Sequence, residues 1–200
     1  MKSFDPETLA FYEAEAPDYA ASGRNGVARH LPDFLDRLMP GASILELGCG
    51  GGVDAAYMID RGFVVEPTDG AAAMARKAEE RLGRPVRVMR FDELEAIAIY
   101  DAVVASASLL HAPLDLLQDI LAKIWRALKP HGWHTASFKA GGGEGRDSLG
   151  RYYNYPDRAA LERIYRKAGA WNTLEIESYA GGGYDGKQGP WLRITVQKAD

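Results

Sequence analysis

From residue 40 onward the apolar positions recur in two rhythms. Short runs rich in aliphatic and β-branched residues, at 43–47, 63–68, 85–90, 100–105 and 133–138, alternate with longer stretches whose apolar residues fall three or four apart, at 54–61, 71–82 and 113–128. The first kind reads as strands and the second as amphipathic helices, and their alternation predicts crossovers between parallel strands. The expected fold class is therefore α/β, a doubly wound and mostly parallel sheet. The last sixty residues leave this rhythm. A helix over 157–167 leads to a strand at 173–179, a glycine-rich stretch and a strand at 191–196, which together read as a closing antiparallel hairpin. Its turn, 180–186, carries Gly and Asp-Gly positions that tolerate positive φ. Ahead of the sheet, 7–20 and 29–38 read as helices joined by a loop at 21–26 and placed to cover a cleft. No repeat is visible, and the glycine-rich stretches at 141–145 and 181–183 do not separate core-sized halves. One domain over 1–200 is expected, with 1–40 as a helical lid and 41–200 as sheet and helices.

Composition narrows the partners. The 200 residues are 46% hydrophobic and 26% charged, which suffices for a buried core and excludes a disordered chain. A net charge of −4 has the wrong sign for neutralising many phosphates, so no nucleic acid partner is expected. Cys49 is the single cysteine, which excludes an intrachain disulfide and a multi-cysteine zinc site and fits a cytoplasmic setting. The N-terminus carries Asp5 and Glu7 where a signal peptide needs an apolar run, and the uncharged run 102–114 is too short to span a bilayer. No membrane partner is expected.

The first predicted strand runs into Glu46-Leu47-Gly48-Cys49-Gly50-Gly51-Gly52-Val53, with glycines spaced GxGxG. A dinucleotide fingerprint requires GxGxxG, and Val53 stands where its last glycine would be. In an open parallel sheet this first strand-to-helix turn forms the floor of the ligand crevice, where glycines let a ligand approach the backbone. Asp69 follows Gly50 by 19 residues, a spacing suited to accepting hydrogen bonds from a ribose diol, although Asp69 also precedes the helical 71–78 and is a candidate N-cap. Glu66 is the competing acid.

Glu46, Gly48, Gly50 and Gly52 match the acidic-xGxGxG motif, and through it the chain resembles the class I S-adenosylmethionine-dependent methyltransferases. The resemblance implies seven strands, S-adenosyl-L-methionine as cofactor and the ribose role for Asp69. It places Phe91 against the adenine and Asp92 on its exocyclic amine, beside the alternative of a helix start capped by Asp92. The implied cofactor-binding set is Tyr19, Glu46, Gly48, Cys49, Gly50, Gly52, Asp69, Gly70, Met74, Phe91, Asp92 and Ser106. Lys129-Pro130-His131-Gly132 resembles the family's LKPGG turn with His131 replacing a glycine. Residues 105–111, 137–139, 144–147 and 150–152 and the glycine-rich hairpin resemble small bacterial members of the tellurite-resistance type.

Methyl transfer from a sulfonium is an in-line displacement, so alignment and exclusion of water carry most of the catalysis. His111, after the fourth strand, is a candidate base or a structural histidine. No Asn/Asp-Pro-Pro-Tyr-like motif follows that strand, and Cys49 lies within the cofactor loop, so base-amine and pyrimidine-carbon methylation are disfavoured. Lys139, Arg146 and Arg151 punctuate a glycine-rich loop that could close over a small anion or remain solvated. The expected catalytic set is His111, Lys139, Arg146 and Arg151, with Tyr19 in the lid and an oxyanion or carboxylate as the small-molecule acceptor. A monomer or homodimer is expected. No metal is expected, because His131 and His134 fall in a turn and a strand with no third ligand nearby. Gly181 to Gln188 departs from a P-loop at Gln188, and Gly189-Pro190 forbids the helix a P-loop needs. The rivals are a nicotinamide-dependent oxidoreductase, weakened by Val53 and the lack of a Tyr-x-x-x-Lys pair, and a non-catalytic S-adenosylmethionine-binding partner protein.

Overall fold

The computed structural model describes residues 4–22 and 26–200; the expectations at residues 1–3 and in the middle of the 21–26 loop lie outside the described residues. Seven strands form one sheet: β1 (Ser43–Leu47), β2 (Val64–Asp69), β3 (Arg87–Val88), β4 (Tyr100–Ala105), β5 (Leu128–Lys139), β8 (Trp171–Gly182) and β9 (Gln188–Lys198). Their order is β3-β2-β1-β4-β5-β9-β8, with a separate ribbon of β6 (Gly145–Arg146) and β7 (Tyr152–Tyr153). Pairing is parallel from β3 through β5, and β9 runs antiparallel to both β5 and β8. The expected doubly wound sheet with its closing hairpin is the observed fold. The strand order reverses between β1 and β4, and such a switch point opens a crevice at the carboxyl ends of the strands.

The helices are α1 (Pro6–Ala21), α2 (Leu31–Leu35), α3 (Val53–Asp60), α4 (Ala72–Leu82), α5 (Leu117–Ala127) and α6 (Arg158–Ala168). Asp5 caps α1 by accepting the Thr8 N–H at 2.8 Å, and Pro6 supplies the fixed φ that suits a first helical position. The central strands are buried on both faces, as parallel strands covered by helices must be: Ile44, Leu45, Val103, Val104 and Ala105 are inaccessible to solvent. Among the described residues no helix is long and apolar enough to cross a membrane.

Several expected elements differ in extent. β3 has two residues instead of the expected six because it is the sheet's edge, where only one neighbour supplies hydrogen bonds. α2 stops at Leu35, and α5 begins only at Leu117, after a 3-10 turn at Leu109–His111. The expected turn at Lys129–Gly132 is a bulge inside β5: pairing to β4 jumps from Leu128 to Trp133, and His131 adopts φ +61° where the family's glycine would be at ease. Across that bulge His131 Nε2 lies 2.8 Å from Asp200. His134 is a core residue, donating from Nδ1 to the Val103 carbonyl and accepting at Nε2 from Tyr165, each at 2.9 Å.

Candidate active site

The carboxyl ends of β1, β2, β4, β5 and β8 and the amino end of β9 open into a cavity of about 640 Å³, covered by α1. Its floor is the glycine turn. Gly48, Gly50 and Gly52 have φ of +75°, +55° and +76°. Gly48 and Cys49 both donate to the Thr68 carbonyl, at 2.9 and 2.8 Å, which ties the turn to β2. A Cβ on Gly48 would come within 2.5 Å of Ser108 Cβ, so only glycine fits. Gly52 does not line the cavity; it begins α3, and a Cβ there would press on Ala78 of α4 at 3.1 Å. The remaining members of the expected cofactor set, Tyr19, Glu46, Gly48, Cys49, Gly50, Asp69, Gly70, Met74, Phe91, Asp92 and Ser106, all line it.

Asp69 braces this floor. Its Oδ2 accepts the Gly50 N–H and its Oδ1 the Ala71 N–H, each at 2.9 Å, and burial raises its pKa to about 6 despite those bonds. The N-cap expectation is corrected, because the first turn of α4 is capped from α1: Glu13 accepts from the Ala72 and Ala73 N–H groups at 2.6 and 2.9 Å. Nor does Asp92 cap: Arg90 precedes the 3-10 turn Phe91–Glu93, and the Arg90 N–H is bonded by Glu93 at 2.8 Å. Glu66 is held by the Tyr100 hydroxyl at 2.6 Å and does not line the cavity. An asparagine at 69 can accept only one of the two backbone N–H groups. Asp69→Asn is therefore expected to lower stability by about 1–3 kcal/mol, read as a lower urea midpoint, and to weaken cofactor binding in calorimetry. An unchanged midpoint would show that the carboxylate does not hold the turn.

Glu46 supplies the strongest electrostatic signal. It is 2% exposed, its Oε2 has no hydrogen-bond partner, and burial, then the neighbouring Asp54 and Asp69, push its pKa well up. An orphaned carboxyl oxygen beside a second buried acid fits a cationic ligand. S-adenosylmethionine is such a ligand, and the residues present therefore fit it.

Tyr12 of α1, His111 and Arg151 form a connected chain. The Tyr152 carbonyl accepts from His111 Nδ1 at 2.7 Å; His111 Nε2 therefore accepts from the Tyr12 hydroxyl at 2.9 Å, and Arg151 donates to the Tyr12 oxygen at 3.0 Å. Burial pushes the His111 pKa down to about 4, and the Arg151 charge adds to the effect.

The expected convergence of cations on an anion is corrected. Lys139, Arg146 and Arg151 do not line the cavity. Arg146 pairs with Asp5 at 2.7 Å and Glu7 at 3.3 Å on α1; Lys139 lies 3.7 Å from Asp185 and 4.3 Å from the centre of the Tyr153 ring. Arg151 is 1% exposed, pairs with Asp147 at 2.6 Å and is surrounded by the rings of Phe11, Tyr12, Tyr153 and Tyr184. Their carboxylate partners satisfy these charges within the protein.

Tyr12, His30, Thr135, Ser137, Tyr179, Trp191 and Arg193 line the cavity and were missed in the sequence. Tyr12 carried a signal, since it precedes Tyr19 by seven residues and so shares its helical face. Tyr179 and Trp191 pair directly across the hairpin, a register fixed only by the fold.

Residues 44–132 match the model of the methyltransferase domain family. A protein-L-isoaspartate O-methyltransferase of Gloeobacter violaceus is 36% identical over 106 residues, which are 50% of this chain and 51% of that protein, so the chain spans about half the length of the curated relative it matches. Among solved structures, an S-adenosylmethionine-dependent methyltransferase of Methanosarcina mazei superposes with TM-score 0.75 at 17% identity, covering 84% of this chain and 97% of that one. The Burkholderia thailandensis 1,6-didemethyltoxoflavin-N1-methyltransferase, solved with 1,6-didemethyltoxoflavin and S-adenosylhomocysteine, superposes with TM-score 0.73 at 24% identity, covering 97% and 90%. A phosphoethanolamine N-methyltransferase 2 of Haemonchus contortus superposes with TM-score 0.73 at 18% identity, covering 98% of this chain and 58% of that one. Residues 44–132 thus match the methyltransferase-domain family model, and the sheet that carries them has the fold of the class I S-adenosylmethionine-dependent methyltransferases.

Proposed function

We propose that the protein transfers the methyl group of S-adenosylmethionine to a small, uncharged acceptor. The observation that carries this is the orphaned, buried Glu46 carboxyl in a cavity floored by the glycine turn and Asp69. Bound S-adenosylmethionine supplies an electrophilic methyl on a sulfonium. Glu46 offsets positive charge, Asp69 holds the turn and offers remaining lone pairs to a ribose, and Phe91 gives the adenine an apolar face. Met74 and the α1 rings exclude water.

His111 acts as a positioning residue in this reading. Its Nε2 is taken by Tyr12, and a histidine with a pKa near 4 is a weak proton acceptor at neutral pH. An acceptor with its own lone pair suits such a site, since alignment alone then suffices. The cations Lys139, Arg146 and Arg151 suggested an oxyanion or carboxylate acceptor in the sequence, but their paired states favour an uncharged one. The Burkholderia enzyme is named for a heteroaromatic substrate, an acceptor with a nitrogen lone pair, whereas the Haemonchus enzyme is named for an amine that also carries a phosphate. The reading takes the chain as one catalytic domain with residues 1–40 as its lid, working in the cytoplasm as a monomer or homodimer without nucleic acid.

Thermal unfolding tests the proposal. S-adenosylmethionine or S-adenosylhomocysteine at a hundredfold excess over its Kd is expected to stabilise the protein by about 2.7 kcal/mol, raising Tm. Stabilisation by NAD(P) and by neither of these ligands would replace the reading with the oxidoreductase.

A further inference from the structure

The cavity has a second half whose chemistry is unlike the first. The glycine turn, Asp69 and Phe91 lie on the β1–β3 side, whereas His30, Ser137, Tyr179 and Trp191 lie where β5 and β8 end and β9 begins. His30 precedes α2, and its ring meets that of Tyr179 edge-on with centroids 4.8 Å apart. Tyr179 stacks with Trp191 at 6.2 Å and 23°. The backbone at Gly181 is bare where a side chain would collide with these rings: a Cβ there would lie 2.9 Å from the Trp191 indole and 3.3 Å from the Tyr179 ring. His30 Nε2 is buried without any hydrogen-bond partner, an arrangement that costs free energy until a ligand supplies one. Two cations line this end: Arg193 is paired with Glu177, and Arg29 is engaged with its guanidinium 5.6 Å from the centre of the Tyr179 ring and a hydrogen bond to the Ala180 carbonyl at 3.4 Å.

We propose that this half is the acceptor subsite and that it selects a flat, uncharged aromatic or heteroaromatic ring with one hydrogen-bonding edge, which pairs with His30 Nε2 while the ring packs on Tyr179. The proposal rests on the methyltransferase reading and deepens it. Aromatic rings offer a planar acceptor large apolar contact at little entropic cost, and the lone unpartnered imidazole nitrogen fixes which edge of the acceptor turns toward it.

Tm shifts of the full-length protein saturated with S-adenosylhomocysteine separate the possibilities. Benzimidazole presents a flat ring with a polar edge, indane lacks the polar edge, and benzoate and selenite carry charge. Benzimidazole is expected to raise Tm further and to bind about tenfold more tightly than indane, the size of one hydrogen bond. His30→Ala should erase that tenfold preference, and Tyr179→Leu should weaken both neutral probes, while the shift produced by S-adenosylhomocysteine alone persists in each variant and reports that it is folded. Three outcomes overturn the subsite: no further shift with benzimidazole, a larger shift with benzoate or selenite, or an unchanged preference in His30→Ala. Absence of any shift with S-adenosylhomocysteine overturns the underlying methyltransferase reading instead, a distinguishable result.

Discussion

Asp147→Ala is expected to remove about 3–5 kcal/mol of stability, measured by chemical denaturation, because it strands the Arg151 charge in a site with almost no access to water. The two side chains are 1% and 3% exposed. Arg151 donates to Asp147 from both Nε and Nη2, at 3.0 and 2.6 Å, while the other carboxyl oxygen of Asp147 accepts the Leu149 and Arg151 N–H groups at 2.9 and 3.0 Å. Losing the carboxylate thus leaves a guanidinium among four aromatic rings and frees two backbone donors. Arg151 also holds Tyr12, so the α1 lid is expected to loosen, with faster proteolysis near residue 12. A double change, Asp147→Ala with Arg151→Met, should recover part of the loss by removing the unpaired charge. Equal instability of the single and double variants would mean that the loop fold, and not the charge, governs the loss. The same pair sets an acid limit. Although burial alone would raise the Asp147 pKa, hydrogen bonding and attraction from Arg151 hold it below the ordinary 3.8, and Asp5, bonded by Arg146 and Thr8, is held near 2. A carboxylate with a depressed folded pKa contributes stability that is full above its unfolded value and lost as pH falls through the folded one. Stability is therefore expected to decline from about pH 4 toward pH 2.

Gly48→Ala is expected to cost about 2–6 kcal/mol and to abolish binding of S-adenosylmethionine. Two effects add: a non-glycine residue at φ +75° carries strain of about 1–3 kcal/mol, and a Cβ 2.5 Å from Ser108 Cβ forces a backbone shift of similar cost. That shift would displace the Gly48 and Cys49 N–H groups from the Thr68 carbonyl. Gly62→Ala is the control, since φ there is +86° but nothing lies within 4 Å of the added carbon. It should cost only the backbone strain, about 1–3 kcal/mol, and leave binding intact. Equal losses at both positions would deny the close packing at Gly48 its part.

The sheet and its ligand turn were legible along the chain, because both are written in local patterns. Alternation of period 2 and period 3.6 runs from Ser43 to Phe138 names parallel strands and crossovers, and the GxGxG run after β1 requires left-handed backbone that only glycine adopts without strain. Asp69 was legible as the acid after β2. Its hold on the turn was not, since the bond to Gly50 depends on how β1 and β2 sit side by side. Which charges are free depends on contacts made across the fold. Arg146 meets Asp5 across 141 positions, and Glu13 caps α4 across 59, distances over which no residue spacing carries information. Arg151 and Asp147 are four apart, yet in a loop that spacing does not bring two side chains together; the β6–β7 ribbon does, beneath rings from α1 and the hairpin tip. The anion site therefore looked open in the sequence because its cations were visible and their partners were not. The aromatic end of the cavity was hidden for the same reason, since Tyr179 faces Trp191 through strand register and His30 joins them from another part of the chain.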